Sequence, residues 1–191
     1  LNAGALPVPI SLVEQRNVGP NLGLTSVQQS MVAGIIGIVL VCIFMTIIYK
    51  LPGLASSFAL IIYGLIVLAL FKLIPVTLSS SGIAGFIISF GMAVDANVLI
   101  FARMKEELTH GAPTNKALDD GFKRAFSSIF DSNISTLLTC LILYIFTTGL
   151  VRGFAVTLGI GIIVSMFTAI VITRNFLHLF IGTKAEKYLK L

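Results

Sequence analysis

Charged residues are scarce in this chain, since lysine, arginine, aspartate and glutamate together make up 11% of its 191 residues. Soluble domains carry about 25%. Hydrophobic residues make up 57%, and the mean hydropathy is +1.02. So few polar groups cannot cover a surface that faces water, which excludes a soluble globular domain and favours a protein embedded in lipid.

Cysteine and histidine are also rare, with two of each. Cys42 and Cys140 lie inside apolar runs, so we interpret them as small packing residues rather than a disulfide framework. His110 and His178 are far apart and near no other ligand, which argues against a metal site. A phosphate loop, a dinucleotide fingerprint and a nucleophile–His–acid set are missing too. We therefore expect no enzyme, metal or cofactor chemistry, and any work must draw on an ion gradient or a partner.

Five apolar segments are each long enough to suggest a membrane-crossing helix of about 20 residues. They are 29–49, 54–73, 78–101, 129–146 and 154–181. The predicted fold class is an all-α integral membrane protein with a five-helix transmembrane bundle. We divide the chain into a tail at 1–28 and a transmembrane domain at 29–191. Prolines and glycines in the tail indicate extended and turning chain rather than helix.

The basic residues, which give a formal charge of +5, are distributed unevenly between the loops. One side carries Lys50, Arg103, Lys105, Lys116, Lys123, Arg124, Lys184, Lys187 and Lys190. The other side carries Arg16, Lys72 and Arg152. The positive-inside rule places the first side and the C-terminus in the cytoplasm, so these charges act as topology signals and we expect no nucleic-acid binding. The N-terminal end then lies outside without an initiator Met or signal peptide, and we expect an earlier span and an extracytoplasmic domain upstream.

The polar loop at 103–128 has its own helical pattern. Gly111 and Pro113 are expected to stop one helix, and Thr114 can begin another. The new helix places its apolar residues on one face: Leu118, Phe122, Phe126 and Ile129. This pattern favours an amphipathic helix that lies in the membrane interface and turns into the fourth span. The alternative is a solvated loop with some helix.

Asp95 is the most informative residue, because it lies in the middle of the third predicted span. Arg103, at the edge of that span, is eight positions on, which places Asp95 about 12 Å inside. The apolar core of a bilayer is about 30 Å thick. A carboxylate there costs roughly 2.5–3.5 kcal/mol and often marks an ion or proton pathway. We favour a proton carrier, and a structural aspartate that pairs with a neighbouring helix is the alternative.

Three other polar residues are candidates for a polar path. Asn97, two positions after Asp95, points to another helix face and is expected to bond across helices. Asp131 and Asn133 lie at the start of the fourth span, where Asp131 has either an interfacial or a direct proton role. Arg174, near the end of the last span, is either an interfacial anchor or an ion partner.

Small residues recur every four positions along three spans. The stripes are Gly85, Ser89, Ala93 and Asn97; Ser128, Ser132, Thr136 and Cys140; and Gly153, Thr157, Gly161, Ser165, Ala169 and Thr173. Small residues let helix backbones approach closely, and we also count Gly91 among the packing positions. The stripes predict that these spans form one tight bundle around the face that holds Asp95. Generic membrane packing is the alternative.

A set of short segments in fixed order carries a resemblance to a known family. They are 4–7 (GALP), 18–23 (VGPNLG), 91–101 (GMAVDANVLIF), 105–108 (KEEL), 125–126 (AF), 131–134 (DSNI), 153–158 (GFAVTL), 167–169 (FTA) and 173–174 (TR). Together they cover essentially the whole chain. On these segments the chain resembles the C-terminal membrane region of the SecD/SecF family of preprotein-translocase subunits, on its SecD side.

This resemblance implies a fold like the resistance–nodulation–division transporters, with six spans and a large periplasmic domain after the first. The chain would supply spans two to six. It implies SecF as a homologous second half, the SecYEG channel and YajC as further partners, and a translocating preprotein as the substrate. It implies placement in the bacterial inner membrane, use of the proton-motive force, and a proton-coupling role for Asp95.

Two positions depart from the family pattern. Ala102 stands where a glutamate is common, which puts a role for that edge in doubt, whereas Ser135 replaces a threonine and keeps the hydroxyl. Two other functions remain open. One is a proton-driven exporter of small molecules or lipids on the same scaffold, and the other is a passive scaffold that stabilises a channel complex.

Overall fold

The computed structural model describes the backbone of residues 20–181 and the side chains from Thr25 onward. The helices of this part are α1 (Pro20–Leu73), α2 (Ser80–Thr109), α3 (Thr114–Phe146), α4 (Gly149–Phe167), a π-helical turn (Thr168–Thr173) and α5 (Arg174–Phe180). Four stretches in the described residues are long and apolar enough to cross a membrane: α1, α2, α3 and the run from α4 to α5. The predicted all-α membrane class is confirmed.

The predicted turn between the first two spans lies inside α1. Lys50 has φ 51° and ψ −119°, which is not helical, and the chain reverses there into two arms, 20–49 and 51–73. The arms contact each other, since the Ser57 hydroxyl donates to the Cys42 carbonyl at 3.4 Å. The described residues therefore form four helices of membrane length rather than the expected five, because the first two predicted spans are the two arms of α1 and no loop separates them. A single residue makes the reversal, and Pro52 is tolerated in the first turn of the second arm because no helical partner needs its N–H.

The start of α1 also differs from the sequence-based boundary. α1 begins at Pro20, so residues 20–28 are helical rather than part of an extended tail. Proline suits a first helical position, because its fixed φ is already that of a helix. The rest of the predicted tail, 1–19, and the last ten residues with Lys184, Lys187 and Lys190 lie outside the described residues.

The turn between α2 and α3 forms where the sequence predicts it. α2 ends at Thr109, and Gly111 then takes a φ of 83°, which favours glycine because it has no Cβ. α3 begins at Thr114 after Pro113 and continues without a break to Phe146. The predicted interfacial helix and the fourth span are therefore one helix. Its amphipathic part buries Leu118, Phe122 and Ile129 against Ile100 of α2, whereas Phe126 stays 47% exposed.

Helices α2 and α4 lie side by side and run in the same direction. The Ser81 hydroxyl donates to the Leu150 carbonyl at 2.7 Å. Further along, Gly85 faces Thr157 and Ser89 faces Gly161, so closely that a Cβ at either glycine would clash. The two predicted small-residue stripes therefore meet in register, which explains the four-residue spacing on both helices.

Tyr63, from the second arm of α1, joins this contact. Its hydroxyl lies 2.6 Å from the Ser89 hydroxyl, which itself donates to the Phe86 carbonyl at 2.7 Å. The Tyr63 and Ser89 side chains are fully buried. We call Tyr63, Ser89 and Gly161 the three-helix contact, because they join α1, α2 and α4 at one point.

Candidate proton-coupling site

Asp95 lies on the outer face of α2, away from the bundle. The inner face of α2 buries Ala93, Ala96 and Asn97, whereas Asp95 is exposed, as are Ile88 and Gly91. The expectation that the bundle encloses the Asp95 face is therefore wrong for this chain. The reason is angular, because two positions along a helix correspond to about 200° of rotation. The stripe that contains Ala93 and Asn97 turns Asp95 outward.

The depth of Asp95 in the bundle follows from its neighbours in sequence. Met92, one turn earlier, packs against the cluster that includes Cys140. Ile100, further along, belongs to the same cluster as Ile129. Because α2 and α3 run in opposite directions, Asp95 lies at a level between Ile129 and Cys140 of α3. Asp131, at the start of the fourth predicted span, is exposed as Asp95 is.

The two amides of the predicted polar path are buried instead. The Asn97 side-chain oxygen accepts a hydrogen bond from the Thr173 hydroxyl at 3.0 Å, which ties α2 to the π-helical turn. The Asn133 amide donates to the Ile129 carbonyl at 2.7 Å within α3. The described residues therefore do not bring the four polar candidates together. The two carboxylates are exposed, whereas the two amides are buried and hydrogen-bonded.

Sequence reasoning missed the π-helical turn at Thr168–Thr173. Such turns are rare and occur frequently at functional sites. Thr173 belongs to the stripe of small residues spaced four positions apart and is fully buried. Spacing alone therefore indicates only a packing residue. Its bond to Asn97 joins residues 76 positions apart, and local spacing carries no sign of that pairing.

Only some of the predicted packing positions lie between helices. Gly161 and Ser165 are buried between helices. A Cβ at Gly153 would lie 3.6 Å from the Ser79 hydroxyl, an ordinary contact. Gly91 has no described atom within 4 Å of the place where a Cβ would stand. Among the described residues Gly91 takes no part in packing, and it leaves open space beside Asp95 on the outer face of α2.

The sequence profile of the family described as "Protein export membrane protein SecD/SecF, C-terminal" matches residues 6–183. The chain belongs to this family. Its relatives include the protein translocase subunit SecD of Dehalococcoides mccartyi, 55% identical over 100% of this chain and 44% of that protein. The Synechocystis subunit SecD is 52% identical over 93% of this chain and 38% of that protein. The chain thus spans less than half the length of these relatives.

Two solved structures have the same fold. The crystal structure of SecDF, a translocon-associated membrane protein from Thermus thermophilus, superposes with a TM-score of 0.84 at 36% identity, covering 89% of this chain and 23% of that one. A SecDF structure in a super-membrane-facing form gives 0.80 at 38% identity, covering 93% and 24%. The chain of this SecD/SecF-family member therefore matches about a quarter of each SecDF chain.

In this family member, Arg174 forms an ion pair rather than acting as a free anchor. Its guanidinium donates to the Asp119 carboxylate at 2.8 Å, and His178 lies 3.2 Å from the same oxygen. The hydrogen bond from Arg174 and the nearby His178 hold the pKa of Asp119 below its usual value. The pair connects α5, at the end of the last predicted span, to the amphipathic part of α3, which precedes the fourth predicted span.

Replacing Asp119 with asparagine should therefore lower stability in a pH-dependent way. A carboxyl whose pKa is depressed in the folded state stabilises above its unfolded pKa, near 3.9, and loses this contribution as the pH falls through the lower folded pKa. Because both side chains are nearly half exposed, we expect a loss of at most about 1 kcal/mol at pH 7. Thermal unfolding of both full-length proteins between pH 7 and pH 3 measures it. A difference that does not shrink below pH 4 would contradict the ion-pair explanation.

Proposed function

We propose that the full-length protein is a non-enzymatic subunit of the bacterial preprotein translocase that uses the proton-motive force to assist export across the inner membrane. Membership of the protein-export family supports the process. One observation carries the coupling mechanism: Asp95 is exposed on the outer face of α2, midway along a helix that is long enough to span the membrane. An unpaired carboxylate in lipid is costly, so this face needs a polar neighbour.

A homologous second half of the transporter is the neighbour that we propose. Asp95 and Asp131 are both exposed, and Gly91 leaves open space one turn from Asp95. A helix from SecF could approach closely at Gly91 and cover Asp95. Asp95 would then lie between the two halves, where a change in their packing changes its access to water. Such a change would let it take up a proton on one side and release it on the other.

The proposed orientation has the α2–α3 turn and the C-terminus in the cytoplasm and the N-terminal end in the periplasm. The excess of basic residues on the first side supports it, with Lys50, Arg103 and Arg124 as examples. In this orientation SecYEG and YajC would associate with the same assembly, and the preprotein would be pulled from the periplasmic side. The family match favours protein export over export of small molecules.

The test compares export in membrane vesicles that contain the full-length protein and its SecF partner with export in vesicles that lack both. Completion of preprotein export is measured with and without an imposed proton gradient. We expect the gradient to accelerate export only in the vesicles with the complex. An equal response in the two vesicle types would show that the complex does not couple the gradient, and the passive-scaffold function would replace our proposal.

A further inference from the structure

A cavity of about 500 Å³ opens near the α2–α3 turn, between α2, α3 and the segment that leads into α5. Four charged side chains line it: Asp119, Asp120, Lys123 and Arg174. Five apolar side chains complete the lining, among them Phe122 and Phe126. Its volume lies within the range of small-molecule sites, about 300–1,000 Å³. A mixed charged and apolar lining at the end of a membrane helix bundle suits an amphipathic ligand.

The charges in this cavity are not all neutralised within the described residues. Asp119 is paired with Arg174 and His178. Asp120 and Lys123 take part in no ion pair among residues 25–181. They stand three positions apart on α3 and therefore project from the same side of the helix. Within the described part of the chain, the cavity thus presents one carboxylate and one ammonium group that form no ion pair.

The apolar side of the cavity continues toward the membrane interior. Phe126 and Phe130 stack with ring centroids 6.0 Å apart, and their side chains are 47% and 43% exposed. Phe130 is one turn further along α3, in the direction of the predicted fourth span. An acyl chain that leaves the cavity in this direction would lie against both rings.

We propose that this cavity binds the headgroup of a zwitterionic phospholipid with a primary amine, of the phosphatidylethanolamine class. The lipid ammonium donates to Asp120, the phosphate accepts from Lys123, and one acyl chain follows Phe126 and Phe130. A choline headgroup has no N–H to donate to Asp120, and a glycerol headgroup brings no positive charge to it. The site is independent of the export function proposed above.

Native mass spectrometry of the full-length protein in detergent tests this site. Phosphatidylethanolamine, phosphatidylcholine and phosphatidylglycerol with identical acyl chains are titrated separately, and the affinity of the first bound lipid is compared. We expect phosphatidylethanolamine to bind about tenfold more tightly, as for one hydrogen bond to a charged group. Asp120→Asn should remove this preference, and Lys123→Gln should weaken binding of all three lipids. Lys116→Gln, an equal charge change on α3 outside the cavity, should change nothing.

Phe126→Ala provides a second variant that leaves the charges intact. It should lower the affinity for all three lipids by the same factor, while the preference for the amine headgroup remains. Equal affinity of the three lipids for the wild type, tighter binding of phosphatidylglycerol, or an unchanged preference in a folded Asp120→Asn variant would each overturn the proposal. Should Asp120→Asn fail to fold, Asp120→Glu must retain the amine preference, and its loss there would overturn the proposal as well.

Discussion

Gly161→Ala is expected to destabilise the full-length protein by about 2–4 kcal/mol, although it adds a single methyl group. The new Cβ would overlap the Ser89 side chain and lie 2.9 Å from the Tyr63 hydroxyl. α2 and α4 would have to separate, since the Ser89 Cβ is attached directly to the α2 backbone and the buried Tyr63 hydroxyl has no free space to move into. The added methyl group would also crowd the hydrogen bond between Tyr63 and Ser89, both of which are fully buried.

Gly159→Ala is the matched control for this prediction. Gly159 lies on the same helix two positions earlier, and its added Cβ would be 3.7 Å from the Cys140 Cβ, an ordinary contact. We expect an effect within about 0.5 kcal/mol. Denaturant or thermal unfolding in detergent, with helix content as the signal, compares the two variants. Equal losses of stability would mean that the three-helix contact is not tight, and that glycine in α4 serves flexibility instead.

The contact of α2 with α4 could be predicted from sequence because it depends on spacing alone. Small residues every four positions define a helix face, and two such faces on neighbouring spans fit together. The turn at Gly111 and Pro113 could be predicted for a similar reason, since both residues act on the backbone locally. The reversal at Lys50 was placed correctly, but its form was not. A non-glycine residue at positive φ is uncommon, so the sequence offers no sign that Lys50 alone makes the reversal.

The surroundings of Asp95 and Arg174 could not be predicted, because they depend on contacts between distant parts of the chain. Spacing shows that Asp95 and Asn97 lie on different faces, but the packed helices decide which face is inside. The Asp119–Arg174 pair joins residues 55 positions apart, so no local pattern indicates it. The same holds for the bond between Thr173 and Asn97.

Asp95→Asn is expected to remove the part of preprotein export that depends on the proton gradient, while expression and assembly stay normal. Asparagine has nearly the shape of aspartate but cannot bind and release a proton in this pH range. Asp95 is exposed on α2 and is not part of the buried inner face of that helix. The substitution therefore removes no buried contact, and the variant should fold as the wild type does. Export is measured in vesicles with the SecF partner, with and without an imposed gradient. Asp95→Glu, which keeps a titratable group one methylene further out, should retain part of the response.

Glu106→Gln is the control that separates coupling from a general loss of negative charge. Glu106 lies on the same helix, eleven positions after Asp95. Its carboxylate forms an ion pair with the Arg103 guanidinium at 2.9 Å. We expect preprotein export by the Glu106→Gln variant to respond to the gradient as export by the wild type does. If Asp95→Asn keeps the response, the carboxylate is structural and the passive-scaffold function gains support. If Asp95→Asn and Glu106→Gln both lose it, the coupling depends on the charge of α2 as a whole, because a single titrating group would be affected in only one of them.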